Sequence, residues 1–201
     1  MVKSDKPKLK IEKFMRKTKK ELDRFFGFTI SGYSITLLNS RKEINQTIGW
    51  KTPSWFVAWC PDNKIYILRQ DKFETESSWN AQWFWRHLKH EIAHIYMRKR
   101  MNGTTHPLWL TEGMCGLLAN QKKENTFEDA VKATRRFSRY DHNVYDAARI
   151  VRSLFQKYGK KKMVALLKTC GPKVTKEQFA KNFKKIYGFG LTEKELKHRL
   201  I

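Results

Sequence analysis

Cysteine is scarce in this chain: Cys60, Cys115 and Cys170 are the only three in 201 residues, and none belongs to a C-x-x-C pair. That excludes a disulfide framework and a cysteine zinc knuckle, and the three thiols are expected to serve as small buried hydrophobes. Long apolar runs are missing too. No stretch approaches the roughly 20 apolar residues that a membrane span requires, and the N-terminus has no apolar core or cleavage site of a secretory signal. A soluble cytoplasmic protein is the expectation. Acidic residues are also few, 19 Asp and Glu against 42 Lys and Arg, for a formal charge of +23. A charge of that size favours nucleic acid, anionic membranes or acidic partners through long-range attraction and counterion release. No nucleic-acid-binding motif accompanies it, however, and a lysine-rich solvated surface is the simpler reading.

What is present is a core. Hydrophobic residues make up 40% of the chain, with seven Trp and thirteen Phe, so the sequence is that of a globular protein rather than a disordered one. Its length suits one domain, or one domain in two lobes. Residues 1–10 read as a flexible basic tail, nine of the first twenty residues being Lys or Arg. Residues 11–201 read as a single domain, with an N-terminal lobe to about residue 105 and a helical C-terminal lobe beyond it.

An amphipathic helix is expected from about Ile11 to Phe26, stopped by Gly27. "YSITLL" (Tyr33 to Leu38) alternates as a strand, and "NSRKEINQTIGW" opens on a capping residue and reads as a short helix. "SWFVAWC" (Ser54 to Cys60) and "KIYILRQ" (Lys64 to Gln70) flank a turn at Pro61-Asp62-Asn63, which is hairpin grammar. From Ser78 to Arg100 the period becomes helical: Trp79, Trp83, His87, His90, His94 and Met97 recur at spacings of three and four and share one face. A loop leads to a second apolar helix in "LWLTEGMCGLLANQ". Helical segments follow in "TFEDAVKATRRFSRY", "NVYDAARIVRSLFQKYG", "KKMVALLKTC", "TKEQFAKNFKKIYG" and "TEKELKHRL". There is no internal repeat.

Chemistry concentrates in "KHEIAHIYM". Residues i and i+4 of a helix lie one turn apart on one face, so His90 and His94 can present imidazoles to a single tetrahedral ion. Glu91 lies about 100° round the helix from His90, off the ligand face yet near enough to accept a proton from a water beside the ion. Two ligands and a general base from one turn are the physical content of an HExxH motif. The motif needs a third ligand. Glu112, in "PLWLTEGMCGLLA", follows His94 by 18 positions in the next expected helix, where a return of the chain would bring its carboxylate beside the imidazoles and leave a fourth position for water. Gly113, Gly116 and Ala119 after it suit a tightly packed helix.

The pair His90-Glu91-Ile92-Ala93-His94 and "PLWLTEG" resembles the gluzincin zinc metallopeptidases, and within them the peptidase MA-like domains. A weaker likeness lies in "YDAARIVRSLFQKYGKKKMVALLK", and the layout is similar from Tyr33 to Gly190. The resemblance implies an α+β zincin-like fold, with a small mixed β-sheet and the HExxH helix in the N-terminal lobe and an all-helical C-terminal lobe. It implies Zn2+ as cofactor, His90, His94 and Glu112 as its ligands, Glu91 as general base, and a peptide or protein as substrate. Tyr145 matches the tyrosine that donates to the oxyanion in several gluzincins, with Tyr140 and His142 as rivals. A substrate-binding edge strand is expected in "FVAWC", with Val57, Ala58 and Trp59 pairing to an extended peptide by strand addition.

Two departures qualify the likeness. Thermolysin-like gluzincins carry an aspartate four residues beyond the glutamate ligand, which orients a zinc histidine; Gly116 stands there here, so another residue, with Asn120 a candidate, or a backbone carbonyl must orient the imidazoles. The Gly-x-Met-Glu-Asn segment of the aminopeptidases has no counterpart before His90, which favours endopeptidase action or an unusual substrate over aminopeptidase action. His87 reads as a core-facing residue, His106 as a loop residue and His198 as part of an exposed terminal helix. The rival readings are a basic nucleic-acid-associated binding module and a latent or inactive peptidase-like protein.

Overall fold

A computed structural model describes residues 6–121, 125–135, 137–138 and 146–201, of residues 6–8 the backbone alone. Helix α1 (Lys6–Phe26) starts five residues before its expected position, so residues 6–10 of the expected tail are helical. Thr18, Leu22 and Phe26 bury one face at helical spacing. The helix stops where Gly27 turns left-handed at φ 74° and its N–H bonds the Asp23 carbonyl.

Strand β1 (Ser34–Leu38) leads into α2 (Arg41–Ile48), whose first turn is capped by the Ser40 hydroxyl accepting from the Glu43 N–H. Strands β2 (Ala58–Trp59) and β3 (Lys64–Leu68) complete a three-stranded sheet in the order β1-β3-β2. β1 runs parallel to β3, with Ile35 opposite Ile65 and Leu37 opposite Ile67, and β2 runs antiparallel to β3 on its other side. The strand expected from Ser54 to Cys60 is therefore only two residues long. The reason lies in Arg41, whose guanidinium donates to the carbonyls of Pro53, Ser54, Phe56 and Glu76. Carbonyls turned toward that cation cannot join the ladder.

After Leu68 the chain passes through a 3-10 turn (Gln70–Lys72) and the single-turn helix α3 (Phe73–Glu76). The next helix, α4, spans Trp83–Arg100 and not Ser78–Arg100. The Ser77 hydroxyl caps the end of α3 and accepts from the Trp79 N–H, while the Trp79 indole donates to the Trp55 carbonyl, so residues 77–80 are held as a turn. Helices α5 (Leu108–Leu118), α6 (Phe127–Thr134), α7 (Ala148–Lys168), α8 (Lys176–Tyr187) and α9 (Glu193–Leu200) follow. The two helices expected on either side of Gly159 form one element, α7, interrupted where Gly159 adopts φ 76° and ψ 176°.

The architecture is α+β: a small mixed sheet, then helices. One hydrophobic cluster runs through both halves, from Ile65 and Ile67 of the sheet through Ile92 and Tyr96 of α4 to Trp109, Leu154 and Phe183. The two expected lobes thus share a core.

Helix α5 lies so close to α7 that a Cβ placed on Gly113 would stand 2.5 Å from Val151 Cγ2 and 3.4 Å from the Ala148 Cα. A stiff β-branched side chain and a backbone atom bound that gap, so little can yield. Gly113→Ala is expected to destabilise the protein by about 1–3 kcal/mol in urea unfolding, and the added Val151→Ala to restore part of it. An unchanged midpoint for Gly113→Ala would show that the helices can part at no cost.

Candidate metal centre

Helix α4 is buried on most of its circumference, by Leu88, Ile92, Ala93, Ile95, Tyr96 and Met97, and it carries His90 and Glu91 inside with them. Polar groups carried inside on such a helix must find partners there. They find them on α5, which packs alongside with Glu112 buried. One carboxylate oxygen of Glu112, Oε2, stands 3.1 Å from His90 Nε2 and 3.6 Å from His94 Nε2. The structure therefore brings His90, His94 and Glu112 to one point, across the helix return that the sequence suggested.

The orientation of His90 comes from a residue that sequence reasoning missed. His90 Nδ1 lies 2.8 Å from Gln121 Oε1. An amide oxygen only accepts, so Nδ1 is the nitrogen that donates to Gln121, and Nε2 is the one turned toward Glu112. Gln121 reaches this place because α5 ends in a Schellman turn. Asn120 is left-handed at φ 54°, the Asn120 N–H bonds the Leu117 carbonyl and the Gln121 N–H bonds the Gly116 carbonyl. The chain thus folds back over Gly116, and a Cβ on that glycine would come within 3.8 Å of the same Gln121 oxygen. Arg152 of α7 holds the turn by donating to the Gln121 carbonyl. Asn120, the expected substitute, is exposed and shapes the turn; its successor makes the contact. Gln121→Ala is expected to weaken divalent-metal affinity about 10- to 100-fold in competition with a chelating dye, the usual cost of losing such a partner. Unchanged affinity would mean that His90 is oriented by packing alone.

Cys115 is the second residue that was missed. It is buried in the core as expected, and it also borders the histidines. One turn beyond Glu112 on α5, it is fully buried, and its Sγ and ring nitrogens of His90 and His94 all lie within 4.8 Å of one another. The i, i+3 spacing from Glu112 was the available signal.

The charges are strongly coupled. Burial works against an imidazolium at His94, but Cys115 and Glu112 together outweigh it and hold its pKa well above the usual value. Burial likewise works against a carboxylate at Glu112, where His94 and His90 prevail and keep its pKa far down. At Glu91 burial wins and raises the pKa in spite of both histidines. Arg98, two turns along α4 from Glu91, donates to the Cys60 carbonyl at 2.7 Å and approaches the Cys60 sulfur at 3.3 Å, which ties the end of β2 to α4.

The donor set suits a metal ion. Two donors each 2.0–2.1 Å from one tetrahedral ion stand about 3.3 Å apart, close to the 3.1 and 3.6 Å between Glu112 and the two imidazoles. One carboxylate oxygen faces a nitrogen of each imidazole, and a single divalent ion would answer both contacts at once. His94 keeps 13% of its side chain exposed, so the centre lies just under the surface, within reach of solvent.

The remaining expected residues fall as follows. β2 is an edge of the sheet, and its register leaves the Ala58 N–H and C=O pointing away from β3, because the Leu68 N–H bonds the Val57 carbonyl. Val57 is buried and Trp59 stacks on Tyr66. Tyr145, Tyr140 and His142 lie outside the described residues. His87 sits apart from the ligand cluster among Phe73, Trp79 and Trp83, where burial lowers its pKa to about 3. His106 stacks on Phe137, and His198 lies on α9. Among the described residues no helix is long and apolar enough to cross a membrane. No protein-family model, curated protein or solved structure matches the chain.

Proposed function

We propose that this protein is a zinc-dependent endopeptidase with a zincin-like fold, using His90, His94 and Glu112 as ligands and Glu91 as general base. The observation that carries this reading is the convergence of one Glu112 oxygen on both Nε2 atoms at 3.1 and 3.6 Å, with Glu91 buried on the same helix as both histidines. A zinc ion held there would supply Lewis-acid chemistry, acidifying a water and polarising the scissile carbonyl.

The chain's own residues do the rest. Gln121 keeps the His90 proton on Nδ1 and its lone pair on Nε2. Glu91, whose affinity for a proton is raised by burial, takes a proton from the attacking water and delivers it to the leaving amine. The outward N–H and C=O of Ala58 can pair with an extended substrate as a further strand, with Val57 and Trp59 on either side and Arg98 fixing β2 relative to the catalytic helix. Strand pairing reads backbone rather than side chains, which suits an unfolded peptide segment.

Elemental analysis of the purified protein tests the reading together with an assay on a denatured protein substrate. One zinc per chain and cleavage at internal bonds are expected. A protein that binds no zinc when offered it, or that binds it and cleaves nothing, would defeat the proposal.

A further inference from the structure

We propose that Cys115 is a ligand of the same centre, so that at rest four protein donors, two imidazoles, one carboxylate and one thiolate, surround the ion. The inference rests on the reading that the centre holds a metal, and it departs from the three-ligand set that the resemblance implies. Its basis is placement. α4 contributes His90 and His94 at i, i+4, and α5 contributes Glu112 and Cys115 at i, i+3, so two donors from each helix face one another across the α4–α5 contact. Cys115 Sγ already lies within 4.8 Å of a ring nitrogen of each histidine. Donors at about 2.3 Å (sulfur) and 2.0 Å (nitrogen) from a tetrahedral ion stand about 3.5 Å apart, so the sulfur would draw closer to the rings as the set closes.

The other thiols are placed differently. Cys60 is occupied by Arg98 and by the Asp62 carbonyl, and the Cys170 thiol contacts the Leu166 carbonyl within its own helix end. On binding, the Cys115 S–H bond breaks, the sulfur lone pair forms the bond to the ion and the proton leaves to solvent; nothing is oxidised or reduced. Four protein donors close the position that a hydrolytic water uses. The thiolate would therefore give way in each turnover for that water to enter, and the sulfur would tighten the hold on a soft, thiophilic ion.

Cobalt(II) titration of the reduced protein under argon tests this, because thiolate ligation produces an intense near-ultraviolet sulfur-to-cobalt band that oxygen and nitrogen ligands do not. The wild type is expected to show that band at one equivalent. Cys115→Ala is expected to lose it, keep visible d–d absorption and bind cobalt at least tenfold more weakly, while Cys60→Ala retains it. The Cys60→Ala/Cys170→Ala variant leaves Cys115 as the sole thiol, so its spectrum decides the matter even where Cys115→Ala fails to fold. Stoichiometric d–d bands without the sulfur band in the wild type, or a band that survives Cys115→Ala, would overturn the assignment and leave the three-ligand centre standing. No cobalt binding at all would overturn both.

Discussion

Glu91→Gln is expected to lower the turnover of a denatured protein substrate by about 10²- to 10⁴-fold, with zinc content unchanged and KM altered little. Gln has the shape of Glu but cannot take a proton from water, so the variant removes the chemistry and leaves the space filled. Zinc is expected to stay because Glu91 is outside the proposed ligand set: its neighbours along α4, His90 and His94, converge on Glu112, while Glu91 sits on an adjacent part of the helix surface, with Arg98 two turns beyond. The fold stays because an amide costs less to bury than a carboxylate, and burial already raises the Glu91 pKa. Turnover and metal content, measured on the same preparation, separate this outcome from simple damage. A variant that holds one zinc per chain and cleaves at the wild-type rate would remove Glu91 from the mechanism and require another base.

The parts of the centre that could be read in the sequence are those that obey helix periodicity. His90 and His94 share a face because they are one turn apart, and Glu112 meets them because a short connection returns the chain along the same helix. The parts that could not be read depend on events at a distance or at an element's end. Gln121 was hidden because its reach depends on the left-handed turn at Asn120, which redirects the chain by one residue beyond the position that Asn120 itself was expected to fill. Cys115 was judged by residue type, as a small buried residue, which it is, whereas its position one turn from Glu112 also set it beside the histidines. β2 came out short because Arg41, twelve to fifteen residues upstream, claims the carbonyls of Pro53 and Phe56. Hydrophobic alternation does not register such a claim. The expected tail was shorter for a local reason: Pro7 lies in the first turn of α1, where its missing N–H costs nothing.

Removal of the metal should be felt by the whole fold. α4 and α5 form the centre of the core, and without an ion their contact keeps two imidazoles, a carboxylate and a thiol face to face in a buried space. A ligand that binds only the folded chain stabilises it in proportion to the logarithm of its concentration over Kd. At a free zinc concentration about 1,000 times Kd that is about 4 kcal/mol, and for a chain of this size it corresponds to a fall in Tm of about 8–16 °C on chelation. Glu112→Ala supplies the internal control. It removes a ligand and leaves His90 and His94 without their counter-charge, so it should begin near or below the Tm of the chelated wild type and show no further fall when chelator is added. A wild-type Tm unmoved by verified zinc removal would mean that α4 and α5 hold their geometry by packing alone. The coupled charges of His94 and Glu112 would then be a sufficient reason for the cluster, as a buried ion pair satisfied by its own protons.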